Sequence, residues 1–94
     1  MDGKLPQEIG VLLNVFVESQ ELESVSRALE KIPEVVDLFE ITGEYDLVAH
    51  IRAPSIAAFR ELLKDHILKI KGVRSTVSAV VVHTHKQEGK VRPD

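Results

Sequence analysis

The chain has 94 residues, a formal charge of −3 and no cysteine, which predicts one domain over residues 1–94 with no disulfide and no Cys-based zinc site. The acidic balance supplies no basic field of the kind that holds nucleic-acid phosphates. The amino terminus lacks the basic-then-apolar order of a signal peptide and no apolar run approaches the ~20 residues that span a bilayer, so a soluble, cytoplasmic chain with no membrane partner is expected.

Ile9 to Val17 alternates strictly, with Ile9, Val11, Leu13, Val15 and Val17 apolar on one face, the pattern of a strand. Its other face, Leu12, Asn14 and Phe16, is half apolar too. From Glu21 to Lys31 the spacing changes to Leu22, Val25, Leu29 and Ile32, one stripe of a helix, with Ser19 as its expected N-cap and Pro33 as its end. A second strand is predicted over Val35–Thr42, a turn at Gly43, and a third strand over Asp46–Arg52. Ser55 then caps a second helix carrying Ile56, Phe59, Leu63, Ile67 and Ile70, which Gly72 closes. The last strand runs from Val73 to about His83, with an ordered core over about 9–85. The charged tail 86–94 has nothing to bury and is expected to stay without structure.

The order βαββαβ contains a repeat, since both helices end in Lys-Ile-x-x-Val, at Lys31–Val35 and at Lys69–Val73. Two such halves with right-handed crossovers make an α+β, ferredoxin-like sandwich, a four-stranded antiparallel sheet with both helices on one face. The other sheet face is then open. It carries Leu12 and Phe16 from the first strand, and from the fourth either Val77 and Val81 or Val80 and Val82, according to the register. A chain this short buries only roughly 60% of its unfolded surface, and an apolar sheet face left bare marks an interface. Sheet-to-sheet homodimers, with Leu12 and Phe16 at the contact, are the expectation.

The stretch "KIPEVVDLFEITGEYDLVAHIRA" followed by "IKGVRSTVSAVVV" resembles the effector-binding domain of the leucine-responsive regulator/AsnC family of transcription regulators, the RAM domain. The motifs that carry the resemblance are the helix-ending Ile-Pro-x-Val, the Thr-Gly-x-Tyr-Asp turn and the Gly-Val-Arg-x-Thr-x-Ser strand start, over about Ile9–Val82. The resemblance implies the dimeric α/β-barrel version of the fold, a homodimer and a higher homo-oligomer, and an amino-acid effector. Full-length members carry an amino-terminal helix-turn-helix domain. Here few residues precede the first strand, so the chain is expected to be a stand-alone form that does not bind DNA directly and co-assembles with full-length regulators.

The turn itself admits two roles. Gly43 supplies the positive φ of a tight turn and also lets a ligand approach the backbone N–H groups. Asp46 suits either hydrogen bonds from the turn or a charge-assisted bond to an ammonium group. On general grounds Tyr45, the only tyrosine, serves as a packing lid rather than a specificity group. The resemblance implies an amino-acid pocket between subunits that takes in Gly43, Glu44, Tyr45 and Asp46, with Thr76 and Ser78 matching the family's Thr-x-Thr.

Other chemistry is weaker in the sequence. His83 and His85 share a strand face at a spacing metals use, but the expected strand order sets His50 apart from them, so no metal site is expected, and His66 reads as a stripe-edge residue. Dimeric ferredoxin-like enzymes such as small monooxygenases need an acid/base group or haem ligand in a pocket, and no polar cluster falls on the inferred core face. An RNA-recognition sheet stacks bases on aromatics in its first and third strands, and the third strand here has none. An ACT-like sensor is the nearest rival and lacks the Gly-x-Tyr-Asp turn. The expectation is a non-catalytic effector-binding and oligomerisation module without a cofactor, a regulator of transcription or of amino-acid metabolism.

Overall fold

The structure, a computed structural model, describes residues 8–43 and 46–92. Strand β1 spans Ile9–Val17, helix α1 Leu22–Glu30, β2 Val35–Glu40, β3 Leu47–Ala53, α2 Ile56–Leu62 and β4 Val73–Val81. The strands form one antiparallel sheet in the order β2-β3-β1-β4. This is the predicted ferredoxin-like sandwich.

Period two decides which face each strand buries. Val11, Leu13, Val15 and Val17 of β1 are buried, and so are Leu47, Ala49, Ile51 and Ala53 of β3, with Leu47, Ala49 and Ile51 directly across the ladder from Val15, Leu13 and Val11. Against them pack Val25 and Leu29 of α1 and Phe59 and Leu62 of α2. Each large side chain taken fully from water contributes about 1.5–3 kcal/mol, so this layer supplies the main stabilisation of the domain.

Register settles the parity of β4. Val77, Ala79 and Val81 lie opposite Asn14, Leu12 and Gly10, on the open face, whereas Thr76, Ser78 and Val80 lie opposite Val15, Leu13 and Val11, on the helix side. Phe39 of β2 and Val48 of β3 extend the apolar stretch of the open face, with Phe39 56% and Val77 52% exposed.

Several elements differ from the sequence expectation. Ser19 does not cap α1: a short 3-10 turn over Ser19–Glu21 comes first, and Glu21 stands at the cap position, where its Oε1 accepts the Ser24 hydroxyl at 3.0 Å rather than a backbone N–H of the helix. Strand β2 stops at Glu40 and β4 at Val81, both short of the predicted ends. The second helix changes winding, since α2 runs into a π-helical turn over Leu63–Ile67, closed by the Leu68 N–H donating to the Leu63 carbonyl at 2.8 Å. The wider turn brings Ile67 into the core below Leu62, while Ile56, expected on the buried stripe, is exposed.

Other predicted boundaries are met. Ser55 accepts the Ala58 N–H at 3.0 Å as an N-cap. Gly72, at φ +102°, ends the second helical segment where an added Cβ would collide with the Glu21 side chain. Its carbonyl accepts the Glu18 N–H at 2.8 Å, joining the ends of β1 and of the second helix.

The tail is not structureless. Lys86–Gln87 (β5) and Lys90–Val91 (β6) pair as a hairpin. Its turn residues Glu88 and Gly89 both have positive φ, 52° and 78°, as a two-residue primed turn requires. A further bond runs from the Arg92 N–H to the His85 carbonyl, 2.8 Å.

Candidate functional site

Asp46 is fastened by every polar group it has on the main chain and by its side chain. Its N–H donates to the Val15 carbonyl at 3.1 Å, its carbonyl accepts the Ile41 N–H at 3.1 Å, and its Oδ2 accepts the Val17 N–H at 2.8 Å. The reason lies in the ladder. Odd-numbered residues of β1 turn their backbone groups toward β3, and the β1–β3 pairing ends at Val15↔Leu47. Val17, with 4% exposure, therefore has an N–H beyond the last rung, and a buried donor without an acceptor costs about 1–3 kcal/mol. The carboxylate takes the place of the missing carbonyl. On the other side of β1 the β4 register shifts between Phe16 and Val17, so the Asp46 carboxylate anchors the strand where its second ladder is irregular.

The rest of the predicted pocket is arranged around this anchor. Gly43 is exposed at φ +125°, with open space where a Cβ would project, so a ligand can approach its backbone. Glu44 and Tyr45 lie outside the described residues. Thr76 is half-buried opposite Val15, and Ser78 is exposed opposite Leu13. Val15 is thus flanked by Leu47 on one side and Thr76 on the other, two strand spacings or about 10 Å apart. The structure brings the Asp46 end of the turn and Thr76 to one end of the sheet, with Ser78 one step further in.

Clefts of about 540 and 450 Å³ flank the second helix and one of about 950 Å³ lies over the open sheet face. None of the three is lined by Gly43, Asp46, Thr76 or Ser78. The large groove was not read from the sequence. It is floored by Gly10 and bordered by Asp37, His50, Arg52 and the hairpin. His50 Nδ1 meets Asp37 Oδ2 at 3.1 Å, and Arg52 Nε meets Glu8 Oε1 at 3.2 Å. Strand β1 separates His50 from β4 as expected, yet Gly10 has no side chain to part them. A Cβ there would come 3.3 Å from His50 Nε2, and His50 and His83 border the same groove. His83 and His85 stack edge to face with ring centroids 4.5 Å apart. Among the described residues no three His, Asp or Glu side chains converge as a metal site would need, and no polar or charged side chain is buried. Leu12 and Phe16 both lie on the open face. No helix among the described residues is long and apolar enough to cross a membrane.

Comparison with known proteins supplies the family. The model of the Lrp/AsnC ligand binding domain matches residues 10–91. The HTH-type transcriptional regulator FL11 of Pyrococcus horikoshii is 34% identical over 86 residues, 87% of this chain and 56% of that protein. The leucine-responsive regulatory protein of Escherichia coli is 28% identical over 93 residues, 92% of this chain and 57% of its own length. This chain therefore spans little more than half of these curated relatives. Among solved structures, a transcriptional regulator from Neisseria meningitidis in complex with L-Met superposes with a TM-score of 0.81 at 23% identity, over 89% of this chain and 56% of that one.

Proposed function

This chain belongs to the Lrp/AsnC ligand binding domain family, and on that footing we propose that it is a non-catalytic module that binds a free amino acid at a subunit boundary and conveys occupancy through its assembly to transcriptional control. The observation that carries the reading is the placement of the Asp46 carboxylate and the Thr76 hydroxyl at one end of the sheet, beside the open backbone of Gly43. In the proposed pocket the N–H groups of the turn and the hydroxyls of Thr76 and Ser78 take the ligand's carboxylate, while the second oxygen of Asp46 accepts from its ammonium group. Glu44 and Tyr45, between Gly43 and Asp46 in the sequence, complete the proposed set.

Three observations support the reading. A solved structural neighbour is a complex with L-Met, which makes an amino acid the ligand class proposed here. None of the three clefts of a single protomer is lined by these residues, which suits a pocket that a second subunit completes. The apolar open face, with Leu12, Phe16, Phe39 and Val77, supports the homodimer contact. The non-catalytic reading is supported by relatives that are transcription regulators. Co-assembly with full-length regulators is the proposed route to a promoter.

A thermal-shift screen of the common amino acids tests this, because a ligand bound only by the folded state raises the melting temperature by mass action. A concentration-dependent rise with one or a few of them is expected. A flat response across the set at millimolar concentration removes the amino-acid assignment.

A further inference from the structure

The groove over the Gly10 end of the open face has one wall from the sheet and one from the hairpin, and the two walls carry charge differently. On the sheet wall each ionic side chain has a partner: Asp37 holds His50 at 3.1 Å and Glu8 holds Arg52 at 3.2 Å. On the hairpin wall stand Lys86 and Arg92, and among the described residues neither is in an ion pair. Glu88, at the hairpin turn, is the only other charged residue on that wall. The rim is therefore left with two unmatched bases against one acid.

Between the walls the surface is apolar. Leu12, Phe39, Val81 and Val82 line it, and Gly10 gives it depth, since a Cβ there would stand 3.3 Å from His50 Nε2 and 3.8 Å from the Val81 side chain. Asp37 holds the His50 ring through Nδ1, so the ring stays beside this gap rather than across it. At about 950 Å³ the groove has the size of a small-molecule site, and an apolar lining with a few charged groups is the usual make-up of one. Phe16 and Val77 do not border it. Phe16 stands about 20 Å further along β1, so the groove is distinct from that part of the proposed dimer contact.

We propose that this groove binds a small organic anion with an apolar body, a medium-chain monocarboxylate being the simplest example. Arg92 and Lys86 take the carboxylate, the guanidinium by two parallel hydrogen bonds, and the hydrocarbon part lies over Gly10 against Leu12, Phe39, Val81 and Val82. The site is built within one protomer and goes beyond the amino-acid module proposed above, on which it does not depend. A free amino acid is the poorer occupant here, because its ammonium group meets the unmatched positive charge of the rim.

Octanoate is the probe, titrated into the isotope-labelled chain and followed by nuclear magnetic resonance, with 1-octanol as its uncharged counterpart. Saturable shifts are expected in the His50 ring and in the methyl groups of Leu12, Val81 and Val82, with octanol at least tenfold weaker. The double variant Lys86→Gln, Arg92→Gln should weaken octanoate at least tenfold. Val82→Glu, a change at a side chain 94% exposed and so harmless to folding, should weaken it too by setting a like charge beside the carboxylate. Asp46→Asn should leave it unchanged. Equal affinity for octanoate and octanol, indifference to the double variant, or shifts confined to Gly43, Asp46 and Thr76 each overturn the groove site. Octanoate that converts a dimer to monomers while the shifts centre on Phe16 and Val77 overturns it as well, since the probe then displaces a partner. A negative amino-acid screen beside saturable octanoate binding overturns the amino-acid reading and leaves the groove standing.

Discussion

The Asp46 carboxylate accepts the Val17 N–H at 2.8 Å across a separation of 29 residues, so the turn proposed to hold a ligand is tied directly to the end of the central strand. Val17 follows Phe16, and Phe16 stands on the open sheet face. The bond therefore gives a ligand that pulls on Asp46 a short mechanical path to the proposed subunit contact.

Asp46→Ala removes the acceptor and leaves the N–H of the buried Val17 unpaired. A loss of about 1–3 kcal/mol in unfolding free energy is expected, the usual cost of such a donor. Asp46→Asn keeps an amide oxygen in place and should unfold within about 1 kcal/mol of the parent, because a neutral hydrogen bond contributes about 0.5–1.5 kcal/mol. Urea denaturation of the two variants compares them, and equal losses would show that the carboxylate does not serve as Val17's acceptor.

The two glycines at the element ends separate strain from space. Gly72→Ala meets both a left-handed backbone and a collision with Glu21, whereas Gly43→Ala meets the backbone strain alone. A non-glycine residue at such φ costs about 1–3 kcal/mol. Thermal melts should therefore show Gly72→Ala as clearly the more destabilising of the pair. The reverse order would mean that the turn at Gly43 is closed by neighbours this account leaves out.

Phe16→Glu places a charge within the proposed sheet-to-sheet contact. A contact of standard size buries about 800 Å² per partner, and an unpaired charge within it should convert the assembly to monomers in sedimentation runs at micromolar concentration. A variant that stays folded and keeps its parent's mass would move the contact to another face.

DNA recognition is not expected of the 94-residue chain alone, given its charge of −3 and the dependence of DNA affinity on neutralised phosphates. A mobility-shift assay at low salt should show no sequence-selective complex. A selective complex would require a basic surface made by assembly.

What the sequence disclosed follows the range over which each signal acts. Strict alternation in Ile9–Val17 and the Ser55 cap are local patterns, and both are legible in a few residues. The π turn was hidden because Phe59, Leu62 and Ile67 match a 3.6-residue period only if one extra residue is wound in. The hairpin has only a weak local signal, Gly89 at a turn with the single apolar Val91 after it, and the charge of the segment masks it. At the site, Gly43 and Asp46 stood out as turn residues. The choice of Val17 as Asp46's partner did not, because it depends on where the β1–β3 ladder stops. The groove over Gly10 needed the same long-range knowledge, since it exists only because a residue without a side chain sits between His50 and Val81.

The most direct test of the central claim is isothermal titration of the best amino acid from the thermal screen into the parent chain and into Asp46→Asn. The proposed pocket sets an anionic oxygen against the ligand's ammonium group, and a hydrogen bond to a charged group contributes about 1.5–3 kcal/mol. The account predicts a folded Asp46→Asn protein whose affinity falls by about one to two orders of magnitude. An unchanged affinity in that folded protein contradicts it and leaves Asp46 as the anchor of Val17 alone.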